Sequence, residues 1–176
     1  MMMRFLIPLV AVVLFFLETE FALFSPIEWN GQFAYLVPRF LILYLIFLSI
    51  YYNRKRAMLY GLIFGLLYDI FYIDIIGLYS FLYPFICFIA GSTVKYIHQH
   101  LFVTTTLSLL LVALLEIVLY QFFLLISFTT IPFSEFLNQR LIPTMIANSI
   151  YLIMLGWTFK YLIQTRVLQK ANQSIL

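Results

Sequence analysis

The sequence predicts an all-α polytopic membrane protein, a single domain over residues 1–176 with six transmembrane helices and both termini in the cytoplasm. Three observations carry that prediction. Of the 176 residues, 65% are hydrophobic and 10% charged, which is more apolar surface than a soluble core absorbs. The chain offers six runs of about 20 mostly apolar residues, the length that crosses a hydrocarbon core ~30 Å thick, separated by short polar breaks. The Lys and Arg residues flanking those runs are lopsided, with Arg4, Arg54, Lys55, Arg56, Lys95, Lys160, Arg166 and Lys170 on one face and only Arg39 and Arg140 on the other. Positive residues beside spans are retained on the cytoplasmic side, which sets the orientation.

The spans fall at about 5–24, 34–52, 57–73, 76–97, 101–128 and 140–162. The first begins MMMRFLIPLVAVVLFF, a positive start and an apolar run like those of a secretory signal. Glu18 and Glu20 stand where a small-residue cleavage site belongs, however, and further spans follow, so it reads as an uncleaved helix. SPIEWNGQ links it to the second span, and Trp29 there and Trp157 in the sixth fall near the two interfaces, where indoles prefer to sit. The break NRKR carries Arg54, Lys55 and Arg56. Lying against a span, it reads as a topology-setting loop facing anionic lipid, not as a nucleic-acid site. YIDIIG turns the chain into the fourth span, where Cys87 has no second cysteine to pair with. In KYIHQH, His98 and His100 have no cysteine or carboxylate nearby to complete a metal set, so no metal is expected. TTIPFSEFLNQ precedes the sixth span.

One stretch, GLIFGLLYDIFYIDIIG at residues 61–77, is unusually rich in glycine and aspartate. On a helix Gly61, Gly65, Tyr68, Asp69 and Tyr72 share a stripe. Glycines four apart admit a close backbone, a main source of helix association in membranes, so the stripe reads as a packing seam or partner interface with Asp69 held against a neighbour. In an alternative reading Asp69 and Asp74 mark the outer end of a short helix, and Gly77 supplies the following turn.

Depth suggests a wider grouping. At ~1.5 Å per residue, Asp69 lies about 18 Å from the inner end of span three, Glu18 about 20 Å up span one and Glu116 about 22 Å up span five, while Asn148 lies about 12 Å below the outer end of span six. These four are expected to form or border one intramembrane polar layer, since such groups face the bundle interior and pair with one another. Three carboxylates in one layer need compensation, here a proton retained by at least one. In the alternative each acid separately meets a backbone group or reaches the outer interface. Thr144, Asn148 and Gly156 form a further candidate packing stripe.

Chemistry is expected to be absent. There is no Gly-x-Ser-x-Gly, His-Glu-x-x-His or Gly-x-Gly-Asp motif, and Asp69 and Asp74 lie on different helical faces, so no catalytic residue and no enzyme are expected. No phosphate loop or other cofactor motif occurs, and the two halves show no repeat of the kind secondary transporters carry.

The basic break NRKR, then GLIFGLLYDIFY, a short turn, Gly77, an aromatic fourth span and Gly91, together with Glu18 in FFLETEF, resemble the MreD family of bacterial rod shape-determining proteins. The sharpest match is Gly61-x-x-x-Gly65-Leu-Leu-Tyr-Asp69, and the likeness extends over the whole chain in length and layout. The resemblance implies a multi-pass protein of the bacterial cytoplasmic membrane: a non-enzymatic scaffold of the cell-elongation machinery that supports side-wall peptidoglycan synthesis. Its implied partners are a single-pass MreC-like protein, the MreB filament system, the RodA glycosyltransferase and a class B penicillin-binding protein, besides membrane lipid. In size and architecture the chain also resembles the six-helix substrate-binding subunits of energy-coupling-factor vitamin transporters, which is the alternative function. Those subunits carry an Ala-x-x-x-Ala seam on span one, whereas Ala11 and Ala22 here are eleven apart.

Overall fold

The computed structural model describes residues 3–29, 32–94 and 100–173. Lys95, His98 and the end of the fourth expected span lie outside the described residues. The chain begins with α1 (Met3–Ala22) and a two-stranded antiparallel hairpin, β1 (Ile27–Trp29) and β2 (Gln32–Ala34), which pairs Ile27 with Ala34 and Glu28 with Phe33. The hairpin departs from the all-α expectation, which treated this stretch as a loop.

After it comes α2 (Phe40–Tyr51), whose 12 residues are all buried. It is shorter than the expected span 34–52 because residues 35–39 are not helical. Pro38 donates no backbone N–H, and a proline biases the residue before it toward extended backbone. Twelve residues rise only about 18 Å. Such a helix can sit at membrane depth only when protein surrounds it, and α2 packs against α1 and four later helices.

Those helices follow in order. α3 (Arg54–Tyr68) is capped by the Asn53 side chain, which accepts from the Arg56 amide at 3.2 Å, and it runs on into a π turn, Asp69–Ile73. Asp74 at φ 56° and Gly77 at φ 115° then reverse the chain into α4 (Leu78–Thr93). α5 (Leu101–Leu125) leads through a loop to the short α6 (Phe133–Phe136), a second π turn at Leu137–Leu141, and α7 (Ile142–Gln173). Among the described residues three segments are long and apolar enough to cross a membrane: Arg54–Ile73, Leu101–Leu125 and Phe133–Thr165. α2 and α4 are shorter apolar helices. The chain is a helical membrane protein.

Its packing is inside-out only in appearance. Large apolar side chains such as Phe16 and Ile153 are exposed on the outside, where acyl chains are the solvent, while Tyr44, Tyr83 and Phe47 fill the centre around α2. α3 and α4 form the most intimate pair. A Cβ built on Gly65 would stand 2.5 Å from the Tyr79 carbonyl oxygen and 2.7 Å from the Ser80 Cα, and one on Gly61 3.0 Å from the Pro84 nitrogen. The two glycines thus let α3 lie directly on the α4 backbone.

Candidate functional site

The site is built around the non-helical segment before α2, whose backbone groups need partners where they lead into a fully buried helix. Side chains and one backbone carbonyl from distant elements provide them. The Tyr35 amide donates to the Gln139 carbonyl at 2.6 Å, and the Leu36 amide to Ser25 Oγ at 3.0 Å. The Thr144 hydroxyl accepts from the Val37 amide at 3.1 Å and donates to the Tyr35 carbonyl at 3.2 Å. Asn148 uses both ends of its amide: Oδ1 accepts from the Arg39 amide at 2.9 Å, and Nδ2 donates to the Val37 carbonyl at 3.0 Å. The π turn and the first two turns of α7 therefore act as a partner strand for residues 35–39.

This arrangement fixes Arg39, which is 2% exposed, at the head of α2. Both Nε and Nη2 of Arg39 lie 2.6 Å from Glu116 Oε1 on α5, and Nη2 also donates to the Tyr79 hydroxyl at 3.1 Å. The other Glu116 oxygen accepts from Arg140 Nε at 3.2 Å. Glu18 on α1 completes the group. Its Oε2 accepts from the Leu41 amide at 3.2 Å, capping α2, and its Oε1 stands 4.0 Å from Arg39 Nη1 with no hydrogen bond. Two carboxylates face two guanidiniums.

Of the four residues expected in one polar layer, Glu18, Glu116 and Asn148 converge on Arg39. Asp69 does not join them directly. Its carboxylate, fully buried, accepts three amides at the start of α4, from Gly77 at 2.9 Å, Tyr79 at 2.7 Å and Ser80 at 3.1 Å. A carboxylate is well placed there, because the first amides of a helix have no intrahelical acceptor and carry the positive end of the dipole. Tyr79 links the two groups, with its amide on Asp69 and its hydroxyl on Arg39. Tyr68 is buried beside it, stacked on Tyr79 at 5.2 Å between ring centroids and edge-on to Phe15 at 5.3 Å. Gly156 makes only ordinary contacts, its nearest neighbour 3.5 Å away, so the α7 stripe serves hydrogen bonding by Thr144 and Asn148 and is not a tight seam.

At the other end of the bundle the three basic residues divide. Arg54 folds onto α4, donating to Ser92 Oγ at 2.9 Å and lying over the Phe88 ring at 4.8 Å, whereas Lys55 and Arg56 are exposed. Among the described residues no cluster of three His, Cys, Asp or Glu side chains could hold a metal ion.

Arg39, Arg140 and Tyr79 are the members that sequence reasoning missed, the two arginines having been read only as outer-side charges. The signal was present: Arg39 abuts an apolar run, and a charge at that depth needs a partner. Beside the network lies a cavity of about 510 Å³, lined by aromatic side chains and by Glu135, Gln139 and Arg140, with Tyr79 in its wall.

These features define a class: a helical membrane protein whose interior charges are spent on its own helices, capping two of them and tying α2 to α5 and the π turn before α7. The family model for rod shape-determining protein MreD matches residues 3–166, and the chain belongs to the MreD family. It is similar to the rod shape-determining protein MreD of Bacillus subtilis (strain 168), 36% identical over 159 residues that cover 90% of this chain and 92% of that protein. It is also similar to the cell shape-determining protein MreD of Streptococcus pneumoniae (strain ATCC BAA-255 / R6), 24% identical over 127 residues, covering 72% and 77% respectively. No solved structure gives a significant match. The protein is a membrane-embedded, cell-shape-determining protein and not an enzyme.

Proposed function

We propose that this protein is a scaffold in the cell-elongation machinery of the bacterial cytoplasmic membrane, crossing the bilayer six times with both termini inside. In this reading it supports side-wall peptidoglycan synthesis by binding a single-pass MreC-like protein, in one assembly with MreB filaments, RodA and a class B penicillin-binding protein. The observation that carries it is the occupancy of Glu116, whose two oxygens are both taken by arginines of its own chain. This buried acid ties α2 to α5 and to the π turn before α7 and is not offered to a substrate, as a scaffold requires.

Gly61, Gly65, Tyr68 and Asp69 serve this role as the internal joint between α3 and α4, and Arg54, Lys55 and Arg56 orient the chain. The partner surface lies instead on the exposed apolar stripes. The names of the relatives favour this reading over a vitamin-transporter subunit.

The test is photocrosslinking in native membranes from single photoreactive residues replacing Phe16, Leu62 or Ile153, all exposed. Position 65 is unsuitable because α4 backbone fills the space. Capture of a single-pass protein with a large external domain from one stripe is the expected result. Lipid adducts alone from all three, in cells whose rod shape the variants maintain, would overturn docking on these faces.

A further inference from the structure

The cavity beside the ion network has a chemical character that the scaffold role does not use. Its walls include Tyr35, Tyr120, Phe123 and Phe128, and among the described residues its ionic members are Glu135 and Arg140, one of each sign. A π turn repeats its backbone bond at five residues instead of four, which helps bring Glu135 and Arg140, five apart, to the same wall. The loop that closes one side is pinned by the Tyr120 hydroxyl, which donates to the Ile131 carbonyl at 2.8 Å, and Tyr120 is itself stacked on Phe136 at 4.2 Å.

Arg140 is engaged only through Nε, on Glu116. Its two terminal nitrogens make no hydrogen bond among the described residues, and the side chain is 40% exposed. Glu135 accepts from Gln139 Nε2 at 2.8 Å through one oxygen and has its other oxygen free of protein donors. Four guanidinium N–H donors thus face outward from a charge held by a buried acid, with a carboxylate acceptor on the same wall. The rim continues into exposed apolar side chains, Leu125 and Phe128, in a chain that stands in lipid.

We propose that this cavity holds the headgroup of a phospholipid carrying both a phosphate and an amine, the phosphate on Arg140 and the ammonium on Glu135. The planar guanidinium fork matches phosphate oxygens, and the aromatic walls favour an ammonium at their faces. The acyl chains leave over Leu125 and Phe128 into the bilayer. A purely anionic headgroup meets Arg140 equally well but sets its charge beside Glu135 and brings that acid no positive charge, only neutral hydroxyl donors. Because Arg140 also holds Glu116, an occupied cavity is coupled to the network at the head of α2.

The experiment uses the full chain, purified in a non-ionic detergent and stripped of lipid. It is titrated with dioleoylphosphatidylethanolamine, dioleoylphosphatidylglycerol, dioleoylglycerol and water-soluble glycerophosphoethanolamine, and bound molecules are counted by native mass spectrometry. The expected result is one retained phosphatidylethanolamine per chain, held about tenfold more tightly than phosphatidylglycerol, the yield of one charge-assisted contact. Glu135→Gln, which lies outside the Arg39 network and leaves the fold intact, should bring the two lipids level. Arg140→Lys, which keeps a charge on Glu116 but lacks the fork, should weaken both. Equal retention of the two lipids by the unaltered chain, or an unchanged preference in Glu135→Gln, overturns the proposal. Binding of glycerophosphoethanolamine as tight as that of the lipid overturns the lipid source in favour of a soluble headgroup-sized ligand.

Discussion

The Arg39 guanidinium and the Glu116 carboxylate, 77 residues apart in sequence, meet at 2.6 Å in a region where neither is more than 2% exposed. Removing Arg39 leaves buried Glu18 without a cation and Glu116 with Arg140 alone; losing one partner of a buried pair costs about 3–5 kcal/mol, whereas replacing both with apolar groups is close to neutral. Arg39→Met should therefore be strongly destabilised in thermal unfolding of the detergent-solubilised protein, and Arg39→Met with Glu116→Leu should recover much of the loss. A double variant as unstable as the single one would show that Arg39 acts mainly through its other contacts.

At the α3–α4 joint the order of sensitivity follows distance. Gly65→Ala places a methyl group 2.5 Å from a backbone oxygen that cannot move aside, so a loss of about 1–3 kcal/mol is expected. Gly61→Ala, at 3.0 Å, should be milder. Yield of monodisperse protein and unfolding temperature read the difference, and the reverse order would mean that α3 rolls on α4 to relieve the clash.

Asp69 accepts three amides with two oxygens. Asn in its place keeps one acceptor, while Leu keeps none and leaves every donor unsatisfied, at about 1–3 kcal/mol for each buried group. Asp69→Asn should consequently maintain rod shape in a complementation assay better than Asp69→Leu. Equal failure of both would make the negative charge itself the requirement.

The segment before α2 depends on α7. Asn148→Leu should expose the Arg39 amide and the Val37 carbonyl as unpaired groups, and Thr144→Val those of Val37 and Tyr35. Hydrogen exchange at residues 36–41 is the measurement, with faster exchange expected in both variants and a greater increase in Asn148→Leu, which frees the group next to the ion pair.

The basic break should separate by residue. Lys55→Glu with Arg56→Glu alters exposed charge and costs only the surface contact of Arg56 with Tyr52, so it should lower the fraction of correctly oriented protein with little change in the stability of what inserts correctly. Arg54→Glu should also loosen α4, because the Ser92 bond and the Phe88 contact are lost. Accessibility labelling of the two termini distinguishes the effects.

Legibility of the fold from sequence followed how local each determinant was. α1, α3, α4, α5 and α7 were visible because apolar runs and polar breaks are local, and Gly61 and Gly65 stood out because their spacing falls on one helical face. The hairpin was legible in principle from Asn30-Gly31 between two alternating triplets, but it was passed over inside an apolar context. The shortening of α2 was signalled by Pro38, yet what replaces its first turns comes from Thr144 and Asn148, more than 100 residues away, and no local pattern encodes that. Depth arithmetic grouped Glu18, Glu116 and Asn148 but could not separate Asp69, since it measures height in the bilayer and not which helix a side chain faces. Charge balance would have gone further: the two arginines on the acidic side are the two that meet Glu116.

The complete enclosure of α2 has a consequence for how the protein is made. Its backbone at residues 37 and 39 is satisfied by groups 107–111 positions downstream, so during synthesis at ~5–20 residues per second that stretch waits on the order of 5–20 s before its permanent partners exist. For that interval a short apolar helix headed by an arginine cannot settle in lipid and must be held by the insertion machinery or by α1 through Glu18. A chain truncated before α7 should therefore be degraded faster than the full chain, which pulse-chase labelling would read as a shorter half-life.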